Sequence, residues 1–490
     1  MSIKFPSWVL KYKEKGKEIR LIKGNYYLYQ VKCVWNKERK RPQKITEAFL
    51  GRITETGLAK GSRQEKNRVK QTIDNISIKE FGIASFLLED NNDILLLLKE
   101  HFIAYETLFS AAVCRFVHHS PLKNMEHYYH VSFLSELLPK AQLNDKALSH
   151  LLLQIGTNRP STSAFMKQFM QKMLGDNTFL LMDATQVLSL SATMTDAQVG
   201  YNAKGQHDPQ VSILYLFAAH TQLPVFYRLV PGNIKEVSAM ALTIEESQVK
   251  EAVLIADKGF FSNANMALLS AKKLQYIVPL KRSSTLIDYA PCEIEGRKGF
   301  TNYLRFNDRV IWYQEKEITL NNENQRVILF LDEDLRRNEQ HDYLQRIEKD
   351  YQNYNLENYH LKAKMQGTIA MLTNLKADKT PQQIYEHYKS RAGIEILFDT
   401  FKNILLADAT YMRSNEAMET WLFINHLALI FYYRLYNRLK KHNLLKKYSP
   451  KDVLMHLETI KKVKINDTWL NTEVPNKSKN ILLKLQIPMA

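Results

Sequence analysis

Short apolar runs separated by polar turns fill residues 178–279, and this pattern limits the fold more than any other feature of the chain. TFLLMDATQVLSLS, QVSILYLFAAH, PVFYRLV, EAVLIADKGF and YIVPL have the composition of buried strands. KEVSAMALTIEESQ and NANMALLSAKK carry apolar residues at helical spacing. The order of three strands, a helix, a strand, a helix and a strand predicts a mixed α/β sheet flanked by helices.

Three acidic residues occupy distinctive positions. Asp183 follows the apolar run FLLM and Asp257 follows VLIA, so we expect both at the tips of buried strands. Glu395 lies in YKSRAGIEILFDTFKN, residues 388–403. Three carboxylates converging from two strands and a helix would bind hard divalent cations, and two such ions can cleave a phosphodiester. Alone, each aspartate could be a turn residue, and Glu395 could simply pair with Arg391.

The segment YKSRAGIEILFDTFKN predicts one amphipathic helix with two faces. The apolar face, which we expect to bury against the sheet, consists of Ile394, Leu397, Phe398 and Phe401. The polar stripe consists of Tyr388, Arg391, Glu395 and Lys402. Asp399, one turn after Glu395, is a competing acid. Whether it shares the site stays open at this level.

The charge distribution favours a polyanionic partner. The net charge is +17; residues 1–70 contain 19 Lys and Arg against 6 Asp and Glu, and residues 437–490 contain 12 against 4. Basic ends around a mildly acidic centre favour nucleic acid, and they argue against a glycoside hydrolase acting on a neutral sugar. Lysine-rich ends could also merely aid solubility.

The chain before the sheet divides into a strand-rich and a helical part. YYLYQVKCVW (26–35), a charged turn (36–44) and ITEAFLGRI (45–53) predict a basic hairpin that could bind a DNA backbone. From about residue 76 to 175 the apolar spacing is helical.

Together these motifs resemble the DDE transposases of bacterial insertion sequences, in the group with the signature Tyr-x2-Arg-x3-Glu-x6-Lys. The signature residues are Tyr388, Arg391, Glu395 and Lys402. LLMDATQV around Asp183 and ADKGFFS around Asp257 resemble the two aspartate motifs of this group. The resemblance extends over roughly residues 176–436.

The resemblance implies an RNase H-like catalytic core in which Asp183, Asp257 and Glu395 bind two Mg²⁺ ions, which Mn²⁺ can replace. It further implies contacts of Tyr388 and Lys402 with DNA phosphates, and for Arg391 either the same contact or the orientation of Glu395. Trp312 is the only tryptophan of the β-rich segment 286–366. By resemblance it would stack on a flipped base, and packing within its own sheet is an equally open alternative.

The function implied is DNA transposition, a form of DNA recombination by a mobile element. The enzyme would cleave and transfer the ends of its own insertion sequence by cut-and-paste through hairpin ends. Its partners would be double-stranded DNA, as terminal inverted repeats and target DNA, and a second copy in a homodimeric synaptic complex. Two alternatives remain: an RNase H-like DNA nuclease without strand transfer, and a catalytically silent DNA-binding protein derived from a transposase.

We predict six segments, which are a basic, strand-rich DNA-binding segment (1–75), a helical region for DNA binding or dimerisation (76–175), the first part of the core (176–285), the β-rich insertion (286–366), the second part of the core with the Glu395 helix (367–440), and a basic C-terminal region (441–490).

The sequence also carries expectations about location. The start, MSIKFPSWVL, has no apolar stretch of signal-peptide length, and the apolar run 421–433 is too short to span a bilayer. Cys33, Cys114 and Cys292 are scattered without metal-site spacing, which suits a reducing compartment. We therefore expect a bacterial cytoplasmic protein, associated with the nucleoid and with no membrane.

Overall fold

The structure, a computed structural model, describes residues 5–36, 41–59, 76–175, 178–200, 208–234, 236–349 and 351–488. The chain divides into two compact units, Met1–Asn75 and Ile76–Ala490. Each unit has its own apolar core.

The first unit is a small antiparallel sheet with a short helix. Its elements are α1 (Ser7–Leu10), β1 (Lys17–Ile22), β2 (Asn25–Asn36), β3 (Arg41–Thr54) and β4 (Gly57–Ala59), with the strands in the order β1-β2-β3-β4. β2 and β3 pair as a long hairpin whose residues 37–40 lie outside the described part. β3 begins at Arg41, inside the segment that we predicted as a turn. Val9, Leu28 and Ile53 form the core of this unit.

The second unit begins with one short strand and a series of helices, as the helical spacing predicted. These elements are β5 (Ile76–Glu80), α2 (Gly82–Asp90), α3 (Asn92–His101), α4 (Tyr105–His118), α5 (Met125–Val131), α6 (Leu134–Leu137), α7 (Asp145–Gly156) and α8 (Arg159–Met173).

A large mixed sheet follows. Its strands are β6 (Thr178–Ser189), β7 (Gln198–Val199), β8 (Pro209–Ala218), β9 (Leu223–Pro231), β10 (Ala252–Ala256), β11 (Gln275–Pro279), β12 (Asn302–Phe306), β13 (Arg309–Leu320), β14 (Glu323–Asp332), β15 (Thr368–Thr373) and β16 (Ala409–Thr410). The order is β12-β13-β14-β15-β11-β10-β6-β8-β7, with β9 on β8 and β16 on β6. β10 runs parallel to both β6 and β11, whereas β8, β9, β14 and β15 pair antiparallel. The predicted mixed α/β class is therefore correct.

The remaining helices and strands complete the second unit. They are α9 (Glu236–Ser247), α10 (Asn263–Ala271), α11 (Ala290–Glu293), α12 (Glu333–Glu348), α13 (Leu356–Lys362), α14 (Pro381–Lys389), α15 (Ala392–Asp399), α16 (Asn415–Lys441), α17 (Pro450–Leu457), β17 (Lys461–Ile465), β18 (Thr468–Asn471) and α18 (Asn476–Lys484). β17 pairs with β18 and with β5, so the end of the second unit closes on its beginning.

The longest helix, α16, lies in the interior. It is buried along most of its length and packs against α4, α7 and β9. It contains the apolar run 421–433, for which a buried helix was expected. Among the described residues, no helix combines the length and apolarity needed to cross a bilayer.

The segment 286–366, predicted as a β-rich insertion, contributes strands to the same sheet. β12, β13 and β14 extend the sheet beyond β15 on the side away from β6. α12 and α13 follow β14, in the charged stretch that has helical spacing.

The contact between α7 and α16 gives a test of the core. Gly156 ends α7, and a Cβ atom placed there would lie 1.9 Å from the backbone oxygen of Glu416. We predict that Gly156→Ala destabilises the protein by at least about 1–3 kcal/mol, because backbone must move to admit the methyl group. Thermal denaturation should show a lower Tm. Gly175→Ala is the control, since its Cβ would meet nothing within 4 Å; equal Tm values for the two variants would contradict the packing described.

Candidate active site

The two aspartates lie side by side on neighbouring parallel strands. The last pair in the register of β6 and β10 is Met182 with Ala256, and Asp183 and Asp257 are the next residues. The prediction that Asp183 lies at the tip of a strand is wrong, because β6 continues to Ser189 by pairing with β8. Asp183 instead lies where the parallel pairing ends, which still places it beside Asp257, at the end of β10.

The predicted single helix over residues 388–403 is interrupted. α14 ends before Ser390 and Arg391, and α15 then carries Glu395 in its first turn. The Ser390 hydroxyl donates to the carbonyl of His387 at 2.6 Å, a local bond of the kind that competes with regular helix. α15 continues into a π-helical turn, Thr400–Ile404. Arg391 therefore occupies a turn between two helices.

The apolar face of this segment is buried, as predicted. Ile394, Leu397 and Phe401 are fully buried, and Phe398 packs partly buried against the same core. At Gly393, a Cβ atom would lie 3.4 Å from the side chain of Phe217 on β8. The absence of a side chain at this position brings α15 close to the sheet that carries the aspartates.

The Arg391 side chain joins the three predicted acids. Its Nη2 donates to Asp183 Oδ2 at 2.6 Å, and its Nη1 donates to Asp257 Oδ1 at 3.3 Å. The same Nη1 lies 3.8 Å from Glu395 Oε1. The side chains of Arg391 and Asp183 are 15% and 14% exposed, whereas that of Glu395 is 64% exposed. The carboxylates of Asp183, Asp257 and Glu395 thus converge on one guanidinium group.

Burial and charge pairing shift the pKa values of these groups in opposite directions. Burial raises the pKa of Asp183, the charge of Arg391 opposes that rise, and the net pKa lies above the usual value. Burial lowers the pKa of Arg391, but Asp183 and Asp257 more than compensate, so that its pKa is raised. Arg391 is therefore charged at every pH at which the protein would work, and its charge favours the ionised form of the buried Asp183.

The donor set suits hard divalent cations. Asp183, Asp257 and Glu395 offer only carboxylate oxygens, the ligands that Mg²⁺ and Mn²⁺ prefer. In the arrangement that the described residues adopt, no three His, Cys, Asp or Glu side chains are close enough to hold one ion together. The guanidinium of Arg391 lies between them instead. The ligand chemistry fits a metal centre, although Arg391 pairs with these oxygens in this structure.

Tyr388 and Lys402 are the other members of the polar stripe. Tyr388 adjoins Arg391: burial raises the pKa of its phenol, Arg391 opposes the rise, and Asp257 and Glu395 add to it. Lys402 is half-buried in the π-helical turn. Asp399 is exposed and accepts a hydrogen bond from Asn403 Nδ2 at 2.6 Å.

Trp312 lies in a different part of the sheet. It is on β13, partly buried, and pairs across the strands with Tyr303, with ring centroids 5.9 Å apart. β13 is separated from β10 by β14, β15 and β11. At about 4.8 Å per strand, this places β13 roughly 19 Å from the strand that ends at Asp257. Tyr303, which the sequence reasoning did not select, is 60% exposed.

The sequence reasoning also missed a contact that positions α14. The ring of His387 stacks on that of Phe179 on β6, with centroids 3.6 Å apart and an interplanar angle of 20°. This contact fixes the end of α14 on the strand that carries Asp183. The only signal was a histidine one helical turn before Arg391, which spacing alone does not distinguish from a solvent-facing residue.

Comparison with known proteins gives one family. The family described as the transposase DDE domain matches residues 168–431, a range that contains the three acids and Arg391. No curated protein matches the chain. A solved structure, a piggyBac transposase synaptic complex with hairpin DNA, is 10% identical, with 77% of each chain covered. Its TM-score is 0.38, which is too low to carry an argument about this fold.

The buried ion pair predicts a pH-dependent stability. In Arg391→Gln the pKa of Asp183 should rise further, because burial would act without an opposing charge. A carboxyl whose folded-state pKa exceeds its unfolded value binds protons more tightly when folded, so stability falls as the pH rises through the folded pKa. We therefore expect the Tm of Arg391→Gln to fall below that of the wild type at pH 8, and the gap to narrow at pH 5.

Arg337→Gln is the matched control for this measurement, in EDTA throughout. Arg337 is 77% exposed and pairs with Asp334 on its own helix, so its removal should change the Tm little at any pH. A gap between Arg391→Gln and wild type that does not vary with pH would contradict the assignment of Asp183 as the titrating partner.

Proposed function

Because this chain belongs to the transposase DDE domain family, we propose that it is a DNA transposase whose reaction centre consists of Asp183, Asp257 and Glu395. The observation that carries the assignment is the convergence of these three carboxylates on Arg391. Within the segment that matches the family, two sheet strands and one helix each contribute one acid to a single point. Among the sequence alternatives, a silent DNA-binding protein has no need for this convergence.

The carboxylates would act as metal ligands in this proposal. When bound there, two Mg²⁺ ions, or Mn²⁺ in their place, supply Lewis-acid activation of water or a 3′-hydroxyl and neutralise the leaving oxygen. Asp183 and Asp257 are held by adjacent parallel strands, so their relative position is rigid. Glu395 is exposed on the first turn of α15 and is the ligand that can adjust.

Basic and hydroxyl groups of the polar stripe would bind the DNA. We assign Arg391, Tyr388 and Lys402 to phosphates near the cleavage point, since guanidinium and ammonium groups make charge-assisted bonds to phosphate. The basic residues of 1–70 and 437–490 would hold the flanking duplex. Phosphoryl transfer depends mainly on positioning and charge neutralisation, which these groups supply.

The full reaction we propose is cut-and-paste transposition through hairpin ends, with the terminal inverted repeats and the target as DNA partners and a homodimer as the synaptic unit. An extruded base would stack on the β12–β13 hairpin, where Trp312 and the more exposed Tyr303 adjoin. In this proposal the six predicted segments keep their predicted roles, with 1–75 and 76–175 as the candidate DNA-binding and dimerisation regions. The same proposal places the protein in the bacterial cytoplasm, at the nucleoid.

Removal of any one carboxylate should abolish cleavage. We predict that Asp183→Asn, Asp257→Asn and Glu395→Gln each lower the rate by at least about 100-fold, because a metal ligand contributes several kcal/mol of transition-state stabilisation. The measurement is cleavage of a labelled duplex that carries the inverted repeats flanking the gene, with Mg²⁺ present. Binding of the same duplex, measured by gel shift in EDTA, should change by much less.

Asp399→Asn is the control on the same helix, one turn after Glu395. Because Asp399 bonds to Asn403, the variant should cleave at close to the wild-type rate. Normal cleavage by any of the three carboxylate variants would remove that residue from the centre. Cleavage without joining to a target duplex would favour the nuclease alternative.

Salt dependence tests the role of the basic ends. If they bind phosphates, log Kd for the duplex should rise linearly with log salt concentration, with a slope of roughly 0.9 for each phosphate neutralised. Lys44→Ala and Arg41→Ala, on β3 of the first unit, should each lower this slope by about one. An affinity that is independent of salt would refute the role of the ends.

A further inference from the structure

The position of Arg391 has a consequence for the order in which ligands bind. We propose that Arg391 is the resident counter-cation of the acid cluster, that a divalent metal must displace it, and that a DNA phosphate makes this displacement favourable. The inference rests on the proposed function, because it takes Asp183, Asp257 and Glu395 as the metal ligands. It adds a coupling between the two ligands: DNA promotes metal entry, and metal promotes DNA binding in return.

Competition follows from the hydrogen bonds of Asp183. Its Oδ1 accepts from the backbone amide of Ala184 at 2.9 Å, and its Oδ2 accepts from Arg391 at 2.6 Å. Both oxygens are therefore engaged. A divalent ion at the usual distance of about 2.0–2.2 Å from Oδ2 would lie within a few Å of the guanidinium, and two like charges would share one buried oxygen.

The Arg391 side chain can also move away from the acids. It lies in the turn between α14 and α15, on a long side chain with several rotatable bonds. Its Nε is buried and has no hydrogen-bond partner among the described residues. A guanidinium has five donors in a planar fork, and a phosphate accepts two of them in parallel. A phosphate near the cluster would therefore satisfy donors that the present partners leave unused.

The balance of charge favours the replacement of Arg391 by metal ions only when DNA is present. The three carboxylates carry three negative charges, and Arg391 supplies one positive charge. Two divalent ions would supply four positive charges, so the centre would become positive and repel Arg391 toward the solvent. A phosphate arriving at the same place would accept hydrogen bonds from the guanidinium and offset part of the positive charge of the metal ions. Coupling between two ligands is reciprocal, so each should tighten the other.

The test measures Mn²⁺ binding without catalysis, and electron paramagnetic resonance detects the free ion. In the absence of DNA, Arg391→Gln should bind Mn²⁺ more tightly than the wild type, by a factor within the usual coupling range of about 5–150. Arg391→Lys should fall between them, because an ammonium group cannot bridge two aspartates as the guanidinium fork does. Arg337→Gln removes the same charge elsewhere and should bind as the wild type does.

Two further measurements connect the effect to this site. The double variant Arg391→Gln with Asp183→Asn should lose the added affinity. In the wild type, a duplex of the terminal repeats with a non-hydrolysable scissile phosphate should tighten Mn²⁺ binding by a similar factor. Because Arg391→Gln could fold poorly, phenylglyoxal modification of wild-type Arg391, measured by mass spectrometry, gives a readout without mutation; its reactivity should rise with Mn²⁺.

The outcomes separate this inference from the proposed function. Equal Mn²⁺ affinity of the wild type and Arg391→Gln at an Asp183-dependent site would overturn the inference and leave the metal centre in place. No Asp183-dependent binding in any variant, with or without DNA, would overturn both. Weaker binding by Arg391→Gln would show that Arg391 supports the metal rather than competing with it, and would also overturn the inference.

Discussion

The ion pair between Arg391 and Asp183 is the contact on which the rest of the site depends. Asp183 lies in the interior of a sheet, where an unpaired carboxylate would be strongly unfavourable, and Arg391 is almost equally buried. Because the same guanidinium reaches Asp257 and Glu395, one side chain joins two strands to the helix that follows it. Ion pairing therefore holds the site together, and any ligand that enters must first compete with these ion pairs.

The scaffold makes this contact possible by fixing both ends of it. β6 and β10 run parallel and stop pairing immediately before Asp183 and Asp257, so the two acids start from neighbouring points. On the other side, the stack of His387 on Phe179 and the close approach at Gly393 hold the two helices that flank Arg391 against the same sheet. These packing contacts keep Arg391 within reach of the acids with which it pairs.

The extension of the sheet has a consequence for how DNA would be bound. Strands β12–β14 continue the sheet that carries the acids, so Trp312 and Tyr303 lie on a surface rigidly connected to the site. In the function we propose, a strand separation of roughly 19 Å would let one duplex contact the cleavage point and a more distant base. The basic residues near the two ends of the chain would then hold phosphates less specifically.

The sequence by itself determined the mixed α/β class, the strands around both aspartates and the buried face of Ile394, Leu397 and Phe401, because these depend on local periodicity. It also selected the three acids as a set. Only the tertiary structure decided that the helix breaks at Ser390, that Asp183 lies within a continuing strand, and that Arg391 rather than open solvent faces the acids. The contacts of Arg391 with Asp257 and Asp183 join residues 134 and 208 positions apart, and no periodicity along the chain encodes such contacts.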